Sequence, residues 1–175
     1  MRVLVAGDST QALCVGGLLA ADGNDVVFAT TAVAVEKGLR DGLRLKMRDT
    51  EYYLKTLHLY KDSSSAGLFD LVLCGVTEGS LESQRSIIRP ALAQDSVAIP
   101  LPSSGQCDEI LCRIVGEEFV VHSNATIPVS VDGRGDYVLS DTPRMSLKER
   151  GVSDSWRLDF ISTALNSAGI EVTTA

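Results

Sequence analysis

An α/β fold, a mostly parallel sheet flanked by helices, is what this sequence predicts, and three observations carry it. Short apolar runs without polar alternation, such as Arg2-Val3-Leu4-Val5-Ala6 and Phe69-Asp70-Leu71-Val72-Leu73-Cys74-Gly75-Val76, have the pattern of strands buried on both faces. Stretches of helical periodicity separate them, so strand and helix alternate along the chain. The turn from the first strand into the first helix, Gly7-Asp8-Ser9-Thr10-Gln11-Ala12, stands where an α/β protein cradles phosphate on a helix N-terminus.

The small apolar residues from Ala12 to Ala21 form the first helix, Gly23-Asn24 turns the chain, and Asp25-Val26-Val27-Phe28-Ala29 returns as the second strand. This is a βαβ unit. A short helix over Val33 to Arg40 ends at Asp41-Gly42, after which Leu43–Met47 and Tyr53–Leu59 each alternate apolar and polar residues. With Asp49-Thr50-Glu51 between them, they predict an antiparallel hairpin appended to the parallel sheet. The polar loop from Asp62 to Gly67 leads into the apolar strand at Phe69, which belongs at the sheet centre. A helix over Ser80 to Ala93 presents Leu81, Ile87, Ile88 and Leu92, and Ser96-Val97-Ala98-Ile99 begins a strand that Pro100 and Pro102 stop. Ser103-Ser104-Gly105 opens a helix through Ile114, and Phe119–His122, Ala125–Val131 and Asp136–Leu139 read as strands. Residues 141–152, with Pro143 and Lys148-Glu149-Arg150, read as a charged surface connection. A last helix over Ser153 to Ala168 is capped by Gly169 and followed by the extended Ile170-Glu171-Val172.

The 175 residues are 45% hydrophobic, enough for one domain with a sizeable core. A net charge of -7 and scattered basic residues argue against a nucleic-acid surface. No apolar run spans a membrane and no signal peptide opens the chain, so a cytoplasmic location without membrane partners is expected. Cys14, Cys74, Cys107 and Cys112 lack the paired spacing of zinc sites and read as buried thiols. His58 and His122 lie far apart in sequence, and no metal site is expected.

In a Rossmann-type turn the first glycine makes the bend, the second lets the pyrophosphate approach, and the third lets helix and strand pack. Gly7 keeps the first role, Ser9 stands at the second place with an added Cβ, and Ala12 stands at the third. Asp8, Glu78 and Glu109 fall near strand ends or just after them, where they could converge over the sheet. Helix capping by Asp8 and a first-turn position for Glu109 are the simpler reading. Ser103-Ser104-Gly105 lacks the Gly-x-Ser-x-Gly pattern of a nucleophile turn.

In order and spacing, the start Met1–Gly7, the Asp25-Val26-Val27 strand, Gly42-Leu43-Arg44-Leu45, Phe69–Leu73, Ile99-Pro100-Leu101 and Ala168-Gly169-Ile170-Glu171-Val172 resemble the amino-terminal domain of ketopantoate reductase. The resemblance implies a Rossmann-like domain over residues 1–175, NADPH as cofactor and hydride transfer to a 2-keto acid. It implies a catalytic lysine and glutamate from a helical domain that these residues do not include, so no catalytic residue is assigned. It places cofactor contacts at Gly7, Asp8, Ser9, Thr10, Gln11, Ala12, Thr30 and Thr31, and substrate contacts at Thr77, Glu78, Ser103 and Ser104. At these positions the chain departs from the family. Thr30-Thr31 replaces an arginine for the 2′-phosphate, Thr77-Glu78 replaces a lysine, and Ser103 replaces an asparagine. These changes imply weakened or absent NADP binding. Three readings stay open: a nicotinamide-binding reductase part completed by a missing domain or partner, a repurposed enzyme acting on another small molecule, and a non-catalytic module. The last would associate as a homodimer or with a partner domain, through the hairpin at 43–59.

Overall fold

The strand from Arg2 organises the molecule, because Val3, Leu4, Val5 and Ala6 give it an apolar surface on both sides. The computed structural model describes residues 1–30, 33–60, 67–75, 78–151 and 155–174. In it β1 (Arg2–Gly7) lies between β2 (Asp25–Ala29) and β6 (Phe69–Gly75). With β5 (His58–Tyr60) and β7 (Leu92–Pro100) they form a sheet of order β5-β2-β1-β6-β7, every pairing parallel. Val3 and Val5 enter one hydrophobic core and Leu4 and Ala6 the other, as expected of a strand covered on both faces. The fold is Rossmann-like, and the alternating pattern of the sequence predicts it correctly.

On the first face α1 (Thr10–Ala21) is buried from Ala12 through Leu19. A helix apolar around its circumference needs cover on more than one side, and a second sheet supplies it. That sheet has the order β4-β3-β10-β9, built from β3 (Leu43–Met47), β4 (Thr50–Leu54), β9 (Val129–Val131) and β10 (Tyr137–Leu139). Gly16 and Gly17 set the approach. A Cβ at Gly16 would overlap Val5 Cγ2 and reach the Phe28 ring at 3.2 Å. One at Gly17 would overlap Leu43 Cδ2 and lie 2.9 Å from Leu45 Cδ1. The helix thus touches the parallel sheet through one glycine and the hairpin through its neighbour. The short helix α2 (Val33–Arg40) precedes β3.

The other face is covered by α3 (Glu78–Leu81), α4 (Arg85–Ile88) and α5 (Gly105–Val115), with Leu81, Ile87, Ile88, Leu111 and Ile114 buried against Leu4, Val72 and Cys74. Beyond β7, one parallel bridge from Ala98 to Val120 leads into a third sheet of β8 (Val121–Thr126), β11 (Arg144–Glu149) and β12 (Glu171–Thr174). Helix α6 (Trp156–Ser167) packs Ile161 and Leu165 into the same core as Met145 and Leu147.

Several expectations need correction. The hairpin exists, but its second strand is Thr50–Leu54; His58–Tyr60 departs to pair in parallel with β2. The hairpin joins β10 in a separate sheet because its apolar side, Leu43 and Leu45, covers α1 rather than extending the parallel edge. Residues 141–152 are not simply a surface connection: Met145, Leu147 and Glu149 of β11 are buried in alternation. Glu149 tolerates burial because Arg157 pairs with it, and Arg157 also donates to the carbonyls of Ser96 and Glu118. The helix expected over 80–93 is broken into short helical and 3₁₀ turns, with Pro90 in the last of them, and β7 starts at Leu92. The strand expected over 125–131 divides into the end of β8 and β9, and Phe119 closes a 3₁₀ turn.

Two glycine substitutions separate helix propensity from packing. Alanine gains about 1 kcal/mol over glycine inside a helix, but overpacking a filled core costs about 1–3 kcal/mol. Gly16→Ala is expected to lower the unfolding free energy in urea, whereas Gly38→Ala in α2, with nothing within 4 Å of the added Cβ, is expected to raise it.

Candidate functional site

The carboxyl ends of four parallel strands lie level with one another: Gly7 is in register with Gly75, Ala6 with Ala29, and Cys74 with Pro100. The chain runs outward from β1 through β2 to β5 and then resumes on the other side of β1 with β6. That reversal is the switch point at which open α/β sheets form a ligand crevice.

The β1–α1 turn is bolted into this crevice. Gly7 adopts φ +110°, a conformation costly for any side-chain-bearing residue. The amides of Asp8 and Ser9 both donate to the Gly75 carbonyl, at 2.8 and 2.7 Å. Ser9 Oγ accepts from the Ala12 amide at 3.1 Å and donates to the Leu101 carbonyl at 2.6 Å. The helix cap is therefore Ser9, not Asp8, because its hydroxyl meets the third helical amide. Ser9 also spans from β1 to the end of β7. Ala12, at the third glycine position, fits because Gly75 has no side chain; a Cβ there would lie 2.6 Å from the Ala12 methyl.

These bonds define what the turn can hold. With the amides of Asp8, Ser9 and Ala12 engaged, the amides of Thr10 and Gln11 are the ones at the first turn of α1 with no acceptor among the described residues. They sit at the positive end of the helix dipole and suit an anion. Gln11 carries a buried side-chain oxygen with no hydrogen-bond donor among the described residues. Asp8 is exposed and lines, with Thr10, a cavity of about 470 Å³ bounded by α2, β3 and residues 131–137. Its carboxylate opposes a negative ligand at the same turn.

The other predicted contacts divide. Thr30, at the end of β2, is buried, while Thr31 and Thr77 lie outside the described residues. Glu78 begins α3. Ser103 and Ser104 are half-buried after β7, and Ser104 caps α5 by accepting from the Cys107 amide at 3.1 Å. Asp8 and Glu109 do not share a cavity: Glu109 lines a separate groove along α5.

That groove contains a pair the sequence reading missed. His122 of β8 meets Asp108 of α5 at 2.6 Å between Nδ1 and Oδ2. Fourteen residues separate them, with no motif linking the two. Cys14, Cys74 and Cys107 are buried as expected, and Cys112 is half-buried. Burial pushes the Cys14 thiol up to about 12. It also raises Cys74, and it raises Cys112 with help from Glu117, so none of these three is a poised thiolate. Among the described residues no cluster of His, Cys, Asp or Glu is placed to hold a metal, and no helix is long and apolar enough to cross a membrane.

Comparison with known proteins agrees with this architecture. The family model described as ketopantoate reductase PanE/ApbA matches residues 3–151. Comparison with curated proteins gave no match. Among solved structures, 2-dehydropantoate 2-reductase from Geobacter metallireducens is 23% identical with a TM-score of 0.84, covering 100% of this chain and 58% of that one. The enzyme of the same name from Porphyromonas gingivalis is 16% identical with a TM-score of 0.82, over 100% and 64% of the two chains. A D-mandelate dehydrogenase, solved with NADH and anilino(oxo)acetate, is 18% identical with a TM-score of 0.84, over 100% and 57%. The chain thus spans less than two thirds of the length of these structures.

Removing the Ser9 hydroxyl tests the bolt. Ser9→Ala deletes a helix cap and leaves the buried Leu101 carbonyl without this donor, so a loss of about 1–3 kcal/mol is expected in urea denaturation. A change within 0.5 kcal/mol, about the scatter of neutral surface substitutions, would show that the turn is held by other contacts.

Proposed function

The chain belongs to the ketopantoate reductase PanE/ApbA family, and from that premise we propose that it is the dinucleotide-holding part of a reductase acting on a 2-keto acid. The observation that carries this reading is the pair of unengaged amides, Thr10 and Gln11, at the switch point of a parallel sheet. The dehydrogenase of similar fold solved with NADH and anilino(oxo)acetate supports pairing a nicotinamide dinucleotide with an oxo acid.

The residues fit such a group with fewer contacts than an intact glycine-rich turn provides. Thr10 and Gln11 would hold the pyrophosphate by their amides. Ser9 holds the turn rigid, and Asp8 opposes the negative charge it receives. The nicotinamide ring, when bound, supplies the hydride. On the substrate side, Ser103 would donate one hydrogen bond to an acid or its carbonyl, where an amide side chain would offer two groups. The lysine and glutamate that the family resemblance implies for proton transfer would come from a further domain or a partner chain.

Cofactor preference follows from charge. Thr30 is neutral and buried at the end of β2, so its own side chain offers a 2′-phosphate no charge-assisted bond. Calorimetric titration is expected to show saturable binding of NADH and NADPH with affinities within about tenfold of each other, the worth of one such contact. Asp8→Asn is expected to tighten both by about two- to fivefold, the scale of an exposed charge interaction. Absence of heat with either dinucleotide at millimolar concentration would overturn the proposal.

A further inference from the structure

Thr30 brings no charge to the adenosine end of a dinucleotide, but an ion pair stands close to it. In an open α/β sheet the ribose lies at the end of the second strand, where an acidic side chain accepts its 2′-hydroxyl or an arginine meets its 2′-phosphate. Ala29 ends β2 level with Ala6 of β1, beside the turn that faces the pyrophosphate. At that strand end Phe28 and Thr30, with Glu36 and Arg40 of α2 and Leu59 and Tyr60 of β5, line a small cavity. Glu36 and Arg40 are its charged side chains among the described residues.

The pair suits a hydroxyl better than a phosphate. Arg40 Nη2 donates to Glu36 Oε1 at 2.6 Å, one turn apart on α2. Glu36 is the sheltered partner, its side chain 22% exposed against 63% for Arg40, so the guanidinium is the half with room to move. The cavity holds about 30 Å³, the share of one water molecule in the liquid. A hydroxyl fits that space, whereas a phosphate is met only if Arg40 swings outward. The swing breaks an exposed ion pair at little cost, yet it leaves the phosphate beside the Glu36 carboxylate, charge against like charge. Tyr60 supplies the neighbouring surface: it stands in register with Ala29, is 40% exposed, and gives a base a ring to stack on.

Resting on the dinucleotide reading above, we infer that the Glu36–Arg40 pair reads the 2′ position, with the adenine beside Tyr60. Glu36 accepts the 2′-hydroxyl of NADH, and Arg40 turns out to hold the 2′-phosphate of NADPH. Because the two halves oppose each other, the parent chain discriminates weakly, with NADH ahead by less than about tenfold. Removing either half tips the balance: without the carboxylate the guanidinium is released to the phosphate, and without the guanidinium the carboxylate repels it.

Calorimetry on the 175-residue chain with NADH and NADPH at matched salt reads the ratio of the two dissociation constants, which a general loss of folded protein does not move. Glu36→Gln is expected to shift that ratio toward NADPH by about tenfold or more, a charge-assisted bond being gained and a like charge lost. Arg40→Gln is expected to shift it toward NADH by about fivefold or more. Tyr60→Ala is expected to weaken both dinucleotides by about fivefold or more and to leave the ratio alone, since adenine is common to them. A smaller shift from either charge substitution, an opposite one, or full binding by Tyr60→Ala overturns the assignment while the dinucleotide reading stands. Binding of neither dinucleotide by the parent chain overturns both.

Discussion

One carbonyl, that of Gly75, accepts two amides from the β1–α1 turn, and the rest of the crevice depends on that pair of hydrogen bonds. It requires β6 to end level with β1, which the parallel register from Val3–Leu71 to Gly7–Gly75 provides. It requires Gly7 to turn with a positive φ, and it requires Gly75 to be bare so that the Ala12 methyl fits against it. Ser9 then extends the attachment to the Leu101 carbonyl beyond β7. Three strand ends are thereby locked to the start of one helix before any ligand is considered.

The same lock decides the chemistry. An intact glycine-rich turn offers a run of amides to a pyrophosphate; here a serine cap consumes one of them, and the Gly75 carbonyl consumes two. What remains is a smaller anion site made by Thr10 and Gln11, with the Asp8 carboxylate beside it. Rigidity and affinity therefore pull in opposite directions: the hydroxyl that steadies the turn removes a donor from the site it steadies. The packing beneath is equally committed, since Gly16 and Gly17 let α1 contact both sheets at close range.

Much of this was legible in the residues. Continuous apolar runs marked β1, β2 and β6 because strands buried on both faces leave no place for polar side chains. The Gly7 turn marked the switch point, and the ordered series of weak motifs pointed to the family that residues 3–151 match. Boundaries were harder wherever tertiary contacts override local pattern. Glu149 made β11 look like a charged loop because its partner, Arg157, lies eight residues further on in α6. The end of the hairpin is hidden in the sequence because the alternation runs on from Tyr53 to Leu59, while the chain changes sheets between Leu54 and His58. The division of amides between Gly75, Ser9 and solvent is written in backbone geometry that side-chain identity does not encode. The Asp108–His122 contact is likewise a product of how α5 lies against β8.

If the turn from Gly7 to Ala12 keeps its internal bonds while receiving a dinucleotide on the amides of Thr10 and Gln11, a crystal structure of the chain with NADH will show pyrophosphate oxygens within hydrogen-bond distance of those two amides, with Ser9 Oγ still joined to Ala12 and Leu101. A dinucleotide seated elsewhere, or a Ser9 side chain swung away to free the Ala12 amide, would contradict it.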